Sequence, residues 1–69
     1  MAKFVDVLLP LPLPTTYTYS VPDEHREQVR IGCRVVVPLG KSKRYTALIM
    51  RVPDDEPQGY ETRPFGELL

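Results

Sequence analysis

The sequence predicts a small all-β barrel or sandwich of four or five short strands with little or no helix. Three observations predict it. The stretch Thr15–Val21 alternates hydroxyl residues with Tyr17, Tyr19 and Val21, which is the period of a strand with one buried face. Cys33–Pro38 (CRVVVP) and Arg44–Val52 (RYTALIMRV) are β-branched or apolar runs joined by Leu39-Gly40-Lys41-Ser42, the composition of a hairpin and its turn. Proline and glycine punctuate the chain at short intervals, and no segment alternates strand with helix as an α/β nucleotide-binding fold would.

In chain order, Lys3–Leu9 (KFVDVLL) reads as the first strand. Asp6 alone interrupts its apolar character, so both faces are expected to be covered, or the strand to lie in a closed barrel. Pro10–Pro14 (PLPLP) cannot be helical and cannot donate at every second residue, so it is an extended, stiff arm. It feeds Thr15–Val21, the second strand. Pro22–Gln28 (PDEHREQ) is polar and suits a single helical turn with Asp23 near its start. Gly32 opens a tight turn into the third strand, Cys33–Pro38. On that strand Cys33, Val35 and Val37 share one face, while Arg34 and Val36 share the other. Arg44–Val52 is its hairpin partner. Asp54–Gly59 (DDEPQG) is an acidic loop, and Tyr60–Leu69 holds a fifth strand.

With 69 residues the chain is one domain, 1–69. A chain of this size buries only about 60% of its unfolded surface and is marginally stable. At 42% hydrophobic and 26% charged it is globular rather than disordered. Cys33 is the only cysteine, so no internal disulfide and no cysteine–histidine zinc set can form, and a reducing, cytoplasmic setting is expected. Asp6 and the prolines break the apolar start, which superficially suggests a signal peptide, and no run is long enough to span a membrane. Net charge is zero but unevenly spread. Residues 30–51 carry Arg30, Arg34, Lys41, Lys43, Arg44 and Arg51 with no acid, between acidic flanks. A basic centre is a footprint for a polyanion, although basic residues on strands also serve to block edge association.

Gly40-Lys41-Ser42 resembles part of a phosphate-binding loop, but the full pattern needs a glycine where Val35 stands and a helix where a strand follows. The fragment is a hairpin turn in which glycine supplies a positive φ. Ser20 and Ser42 have only His25 as a prospective base, and no acid–histidine spacing completes a triad. His25 reads as a surface residue. Asp54, Asp55 and Glu56 read as solvated loop charge. No catalytic residues and no metal site are expected. Tyr17 and Tyr19 admit two readings: core residues of a small barrel, or a surface on which bases stack beside basic groups.

VDVLLPLPLPTTYTYSVPD, followed by GCRVVVPLGK and the strand ALIMRV, resembles the N-terminal domain of primosomal protein N′, the PriA family of replication-restart helicases. The terminal RPFGELL fits the last strand of that domain. The resemblance runs from about Val5 to Leu69, and it implies a domain excised from a much longer chain. It implies an OB-like barrel that captures the 3′-hydroxyl end of a nascent DNA strand at a stalled fork. The residues it implicates here are Tyr17, Thr18 and Tyr19, Gly40 with Lys41 beside it, and the basic residue Arg63. ATP, magnesium and zinc are implied only for the full-length protein, with no cofactor in this segment. The implied partners are DNA 3′ ends and forks, the remaining helicase domains, other primosome proteins and single-strand-binding protein, in a bacterial cytoplasm and with no membrane. Two departures stand out. Some members carry an aspartate where this chain has Thr18, which can hydrogen-bond but is uncharged. Ala47 replaces a common glycine, a change of packing.

The sequence therefore reads as a non-catalytic DNA-binding module. The alternative is an interdomain or protein-interaction barrel whose tyrosines dock on a neighbour without touching DNA.

Overall fold

A computed structural model of the chain describes residues 3–12, 15–53 and 62–69. Five strands form among them: β1 (Phe4–Leu8), β2 (Tyr17–Ser20), β3 (Arg34–Leu39), β4 (Lys43–Arg51) and β5 (Glu67–Leu68). A short 3₁₀ turn, Asp23–His25, is the only helical element of the described residues. All ladders are antiparallel, in the order β2-β1-β4-β3-β5. The expected all-β architecture is the one that forms. No helix of the described residues is long and apolar enough to cross a membrane.

The alternation read from the sequence determines which side chains meet. Val5 pairs with Tyr19 and Val7 with Tyr17. Val35 lies opposite Ala47 in the β3–β4 hairpin. Val5, Val7, Val35, Val37 and Ile49 are completely buried, and Tyr19, Ala47 and Phe65 nearly so. Each buried valine, isoleucine or phenylalanine side chain among them contributes about 1.5–3 kcal/mol on leaving water. Ala47 packs in this core.

The sheet closes through its C-terminal segment. Ser20, at the end of β2, makes a parallel bridge with Pro64. Its N–H donates to the Arg63 carbonyl at 2.9 Å, and its carbonyl accepts from Phe65 N–H at 3.2 Å. Two residues later the same segment turns to the opposite edge. Gly66 N–H donates to Val36 O at 2.7 Å, and Leu69 N–H to Arg34 O at 2.9 Å. Residues 63–69 thus join β2 to β3, so the edge strands are paired rather than left open.

Several sequence expectations need correction. Of the two arrangements expected for β1, coverage of both faces does not hold, since Leu8 is 42% exposed on the outer side, whereas closure of the sheet does. Asp6, also outward, is 8% exposed because Thr18 and Arg51 cover it. The second strand is shorter than Thr15–Val21, since its ladder with β1 runs only from Tyr17 to Ser20. His25 is not a free surface residue. Its ring stacks on Phe65, with centroids 5.7 Å apart and planes at 23°, and lies over the closing segment. The alternation along β4 also fails near its end. Asp6 pairs with Arg51 but Val7 with Ile49, so Met50 is an extra residue in a β-bulge. The bulge turns Arg51 outward, where Nη1 lies 3.6 Å from Asp6 Oδ2. The hairpin turn is as expected: Gly40 has φ 72°, in the region that favours glycine. The acidic loop Asp54–Gly59 and the end of the arm at Leu13 and Pro14 lie outside the described residues.

Candidate nucleic-acid interface

β2 ends a barrel wall, and Tyr17 and Tyr19 point to its interior side beside Val7 and Val5. Their environments differ. Tyr19 is 4% exposed, and its hydroxyl donates to the Pro38 carbonyl at 2.7 Å, which ties β2 to the end of β3. Burial pushes the Tyr19 phenol above its usual pKa; Arg63 opposes the shift and Tyr17 adds to it. Tyr17 is half-buried and packs on the margin of the core. Only Tyr17 retains a substantial exposed ring surface.

These side chains border a pocket of about 310 Å³. Its walls are Thr16, Tyr17, Thr18 and Tyr19 on one side, with Pro38, Leu39 and Arg63 on the other. Arg63 is exposed, and its Nη1 donates to the Gly40 carbonyl at 3.0 Å. The Tyr19–Pro38 and Arg63–Gly40 bonds therefore hold the β3–β4 hairpin from two directions and fix the pocket's far wall. No acidic residue is among the described residues that line it. An aromatic ring, backbone carbonyls and a guanidinium with further N–H donors suit a base or sugar carrying a negative linker.

Of the six residues singled out in the sequence, Tyr17, Thr18, Tyr19 and Arg63 line this one pocket, and Gly40 is joined to it through Arg63. Lys41 stands exposed at the hairpin tip and is not among the lining residues. Thr18 lies opposite Asp6, and its hydroxyl donates to Asp6 Oδ1 at 2.6 Å. Sequence reasoning missed Thr16, Pro38 and Leu39. Pro38 and Leu39 immediately precede Gly40 within V-P-L-G-K, so the motif already contained them; what was not visible was that Tyr19 would bind the Pro38 carbonyl.

The profile of the PriA 3′DNA-binding domain (3′BD) family matches residues 6–69. The replication restart protein PriA of Haemophilus influenzae is 48% identical over 42 residues, which is 61% of this chain and 6% of that protein. The chain thus spans a small fraction of the length of this relative.

Proposed function

The chain belongs to the PriA 3′DNA-binding domain family, and from that premise we propose that it captures the 3′-hydroxyl end of a DNA strand in the Tyr17–Arg63 pocket. The terminal base lies against Tyr17. Backbone and hydroxyl groups at the pocket floor meet the sugar and its free hydroxyl. Arg63 supplies charge toward the backbone. Through this contact the domain positions a replication-restart helicase on the nascent strand of a stalled fork. ATP hydrolysis, its metal, and contacts with other restart proteins belong to the rest of a longer chain; this segment binds without catalysis.

One observation carries the reading. Tyr17, Thr18, Tyr19, Arg63 and the Gly40 hairpin, which are scattered along the sequence, converge on one pocket with no acidic residue among its described lining. A small, aromatic, positively flanked pocket accepts one nucleotide rather than a duplex groove.

A second reading is an interdomain or protein-interaction barrel whose tyrosines dock on a neighbour without touching DNA. Tyr19 has its ring buried and its hydroxyl engaged, so the pair does not make an apolar docking face. Of the exposed apolar residues, Leu8, Leu48 and Met50 lie instead on the outer face of β1 and β4, away from the pocket. A docking contact through that face would be compatible with DNA capture.

The test is a titration of a short oligonucleotide ending in 3′-OH against the same oligonucleotide ending in 3′-phosphate. The 3′-OH form is expected to bind at least about tenfold more tightly, equivalent to 1.4 kcal/mol. Equal affinities would remove the end-capture reading. Affinity should also fall steeply with salt.

A further inference from the structure

A second groove of about 290 Å³ adjoins the pocket. The two share Pro38 and Arg63. The groove runs over the outer face between the β3–β4 hairpin and the closing segment, with Arg44, Pro64 and Phe65 along it. Arg44 is placed there by register: it lies opposite Pro38 across the hairpin. It is exposed, and among the described residues it makes no ion pair or hydrogen bond. No acidic residue is among the described residues lining this groove either.

We infer that this groove holds the phosphodiester linking the terminal nucleotide to the penultimate one, with Arg44 and Arg63 on either side of its charge. The inference rests on the end-capture reading and extends it by a subsite. The shared Pro38–Arg63 rim gives a strand a continuous path from the pocket onto the outer face. Arg63 uses Nη1 on the Gly40 carbonyl, and its other N–H groups have no partner among the described residues and can reach an anion. The Arg44 guanidinium matches phosphate geometry and has no partner among the described residues to lose on binding. The proline rings of Pro38 and Pro64 offer an apolar floor to the sugar. Discrimination of the end comes from the pocket; the groove adds sequence-independent affinity and fixes the strand's direction of exit.

The experiment compares short oligothymidylates ending in 3′-OH that carry a methylphosphonate either at the last linkage or several linkages away. Each is titrated against the unaltered chain, Arg44→Ala and Arg44→Lys. For the unaltered chain, neutralising the last linkage is expected to weaken binding by about fivefold, while the distant substitution has a smaller effect. Arg44→Ala should lose a similar factor on the natural strand and nothing further on the strand neutralised at its last linkage. Its salt slope should be shallower by about 0.7, the value for one phosphate contact on a single strand. Arg44→Lys should recover part of the loss. The linkage substitution is made in the DNA, so the test does not depend on the variant folding. An Arg44→Ala chain that binds like the unaltered one, or whose loss persists on the neutralised strand, overturns the assignment. If the 3′-OH preference stands while Arg44 is silent, only the groove assignment falls. If 3′-OH and 3′-phosphate ends bind equally, the end-capture reading falls and takes this assignment with it.

Discussion

The Thr18 hydroxyl donates to Asp6 Oδ1 at 2.6 Å directly across the β1–β2 ladder, and Arg51 reaches the other oxygen of the same carboxylate at 3.6 Å. Thr18 is thus part of the support for β2 as well as a wall of the pocket. The bulge at Met50 makes this arrangement possible, because without it Arg51 would face the interior. The absence of an aspartate at position 18 has a structural counterpart: a second carboxylate there would oppose Asp6.

Thr18→Asp is accordingly expected to lower stability by about 1 kcal/mol at neutral pH, because like charges directly opposite repel and the hydroxyl donor is lost. Combining it with Asp6→Asn should recover much of that loss. Urea unfolding of the two single variants and the double variant measures the coupling, and additive effects would show that positions 6 and 18 act independently.

Tyr19→Phe removes the donor to Pro38 and should cost about 1 kcal/mol, or somewhat more if the buried carbonyl finds no other partner. The same residue sets a pH dependence. Its phenol is raised above 10.0 in the fold, chiefly by burial. Above pH 10.0 the unfolded chain releases this proton while the folded chain keeps it, so stability falls as pH rises from there through the folded value. Below pH 10.0 this contribution is fully present. In Tyr19→Phe the alkaline decline should be shallower, as followed by denaturant midpoints from neutral to strongly alkaline pH.

Much of this architecture was legible because period-2 alternation is a local signal. Val35 and Val37, and likewise Ala47 and Ile49, turn inward as their spacing demands. The hairpin was legible from Gly40. The bulge at Met50 was not, because nothing in RYTALIMRV distinguishes an extra residue from the next step of the alternation. Nor was the Ser20–Pro64 bridge, a contact across more than forty residues that depends on where both edges finish. The polar local sequence of His25 points to the surface, whereas its stacking partner, Phe65, comes from the far end of the chain. Within the site, the residue types could be named from the motif, but the division of labour could not. Tyr17 and Tyr19 look equivalent in sequence, and only the Pro38 carbonyl and the depth of the barrel separate a rim ring from a core ring.

That division predicts unequal mutants. Tyr17→Ala should weaken oligonucleotide binding by about 1–3 kcal/mol, the usual range for one stacked base, with the barrel still folded. Tyr17→Phe should retain most of the affinity. Tyr19→Ala should instead reduce stability by about 3–5 kcal/mol, as for truncation of a buried aromatic. Circular dichroism melts run beside fluorescence-anisotropy titrations separate the two effects. A Tyr17→Ala chain that loses its fold would place that ring in the core with Tyr19.

The closing segment should be the most sensitive part of the chain outside the pocket. Phe65 is 2% exposed, lies under the His25 ring, and is flanked by the residues that bond to both edges of the sheet. Phe65→Ala leaves a cavity where β2 and β3 are joined and should cost about 3–5 kcal/mol, enough to unfold much of a small domain. Phe65→Leu retains most of the volume and should cost closer to about 1 kcal/mol. His25→Ala removes the stacked ring together with the exposed Nδ1–Gln28 Oε1 contact at 3.2 Å, and should cost about 0.5–1.5 kcal/mol, mostly from the stacking. In the Phe65→Ala background that increment should largely vanish, since the ring it stacks on is gone. Chemical denaturation of the four chains gives the cycle. Closure by residues 63–69 further predicts that amide protons of Ser20, Phe65 and Gly66 exchange together, at a rate set by opening of the barrel. Fast exchange at all three with slow exchange at Val21, whose N–H donates to Lys3 O on the β1 side, would mean that the closing segment detaches while the rest of the sheet holds.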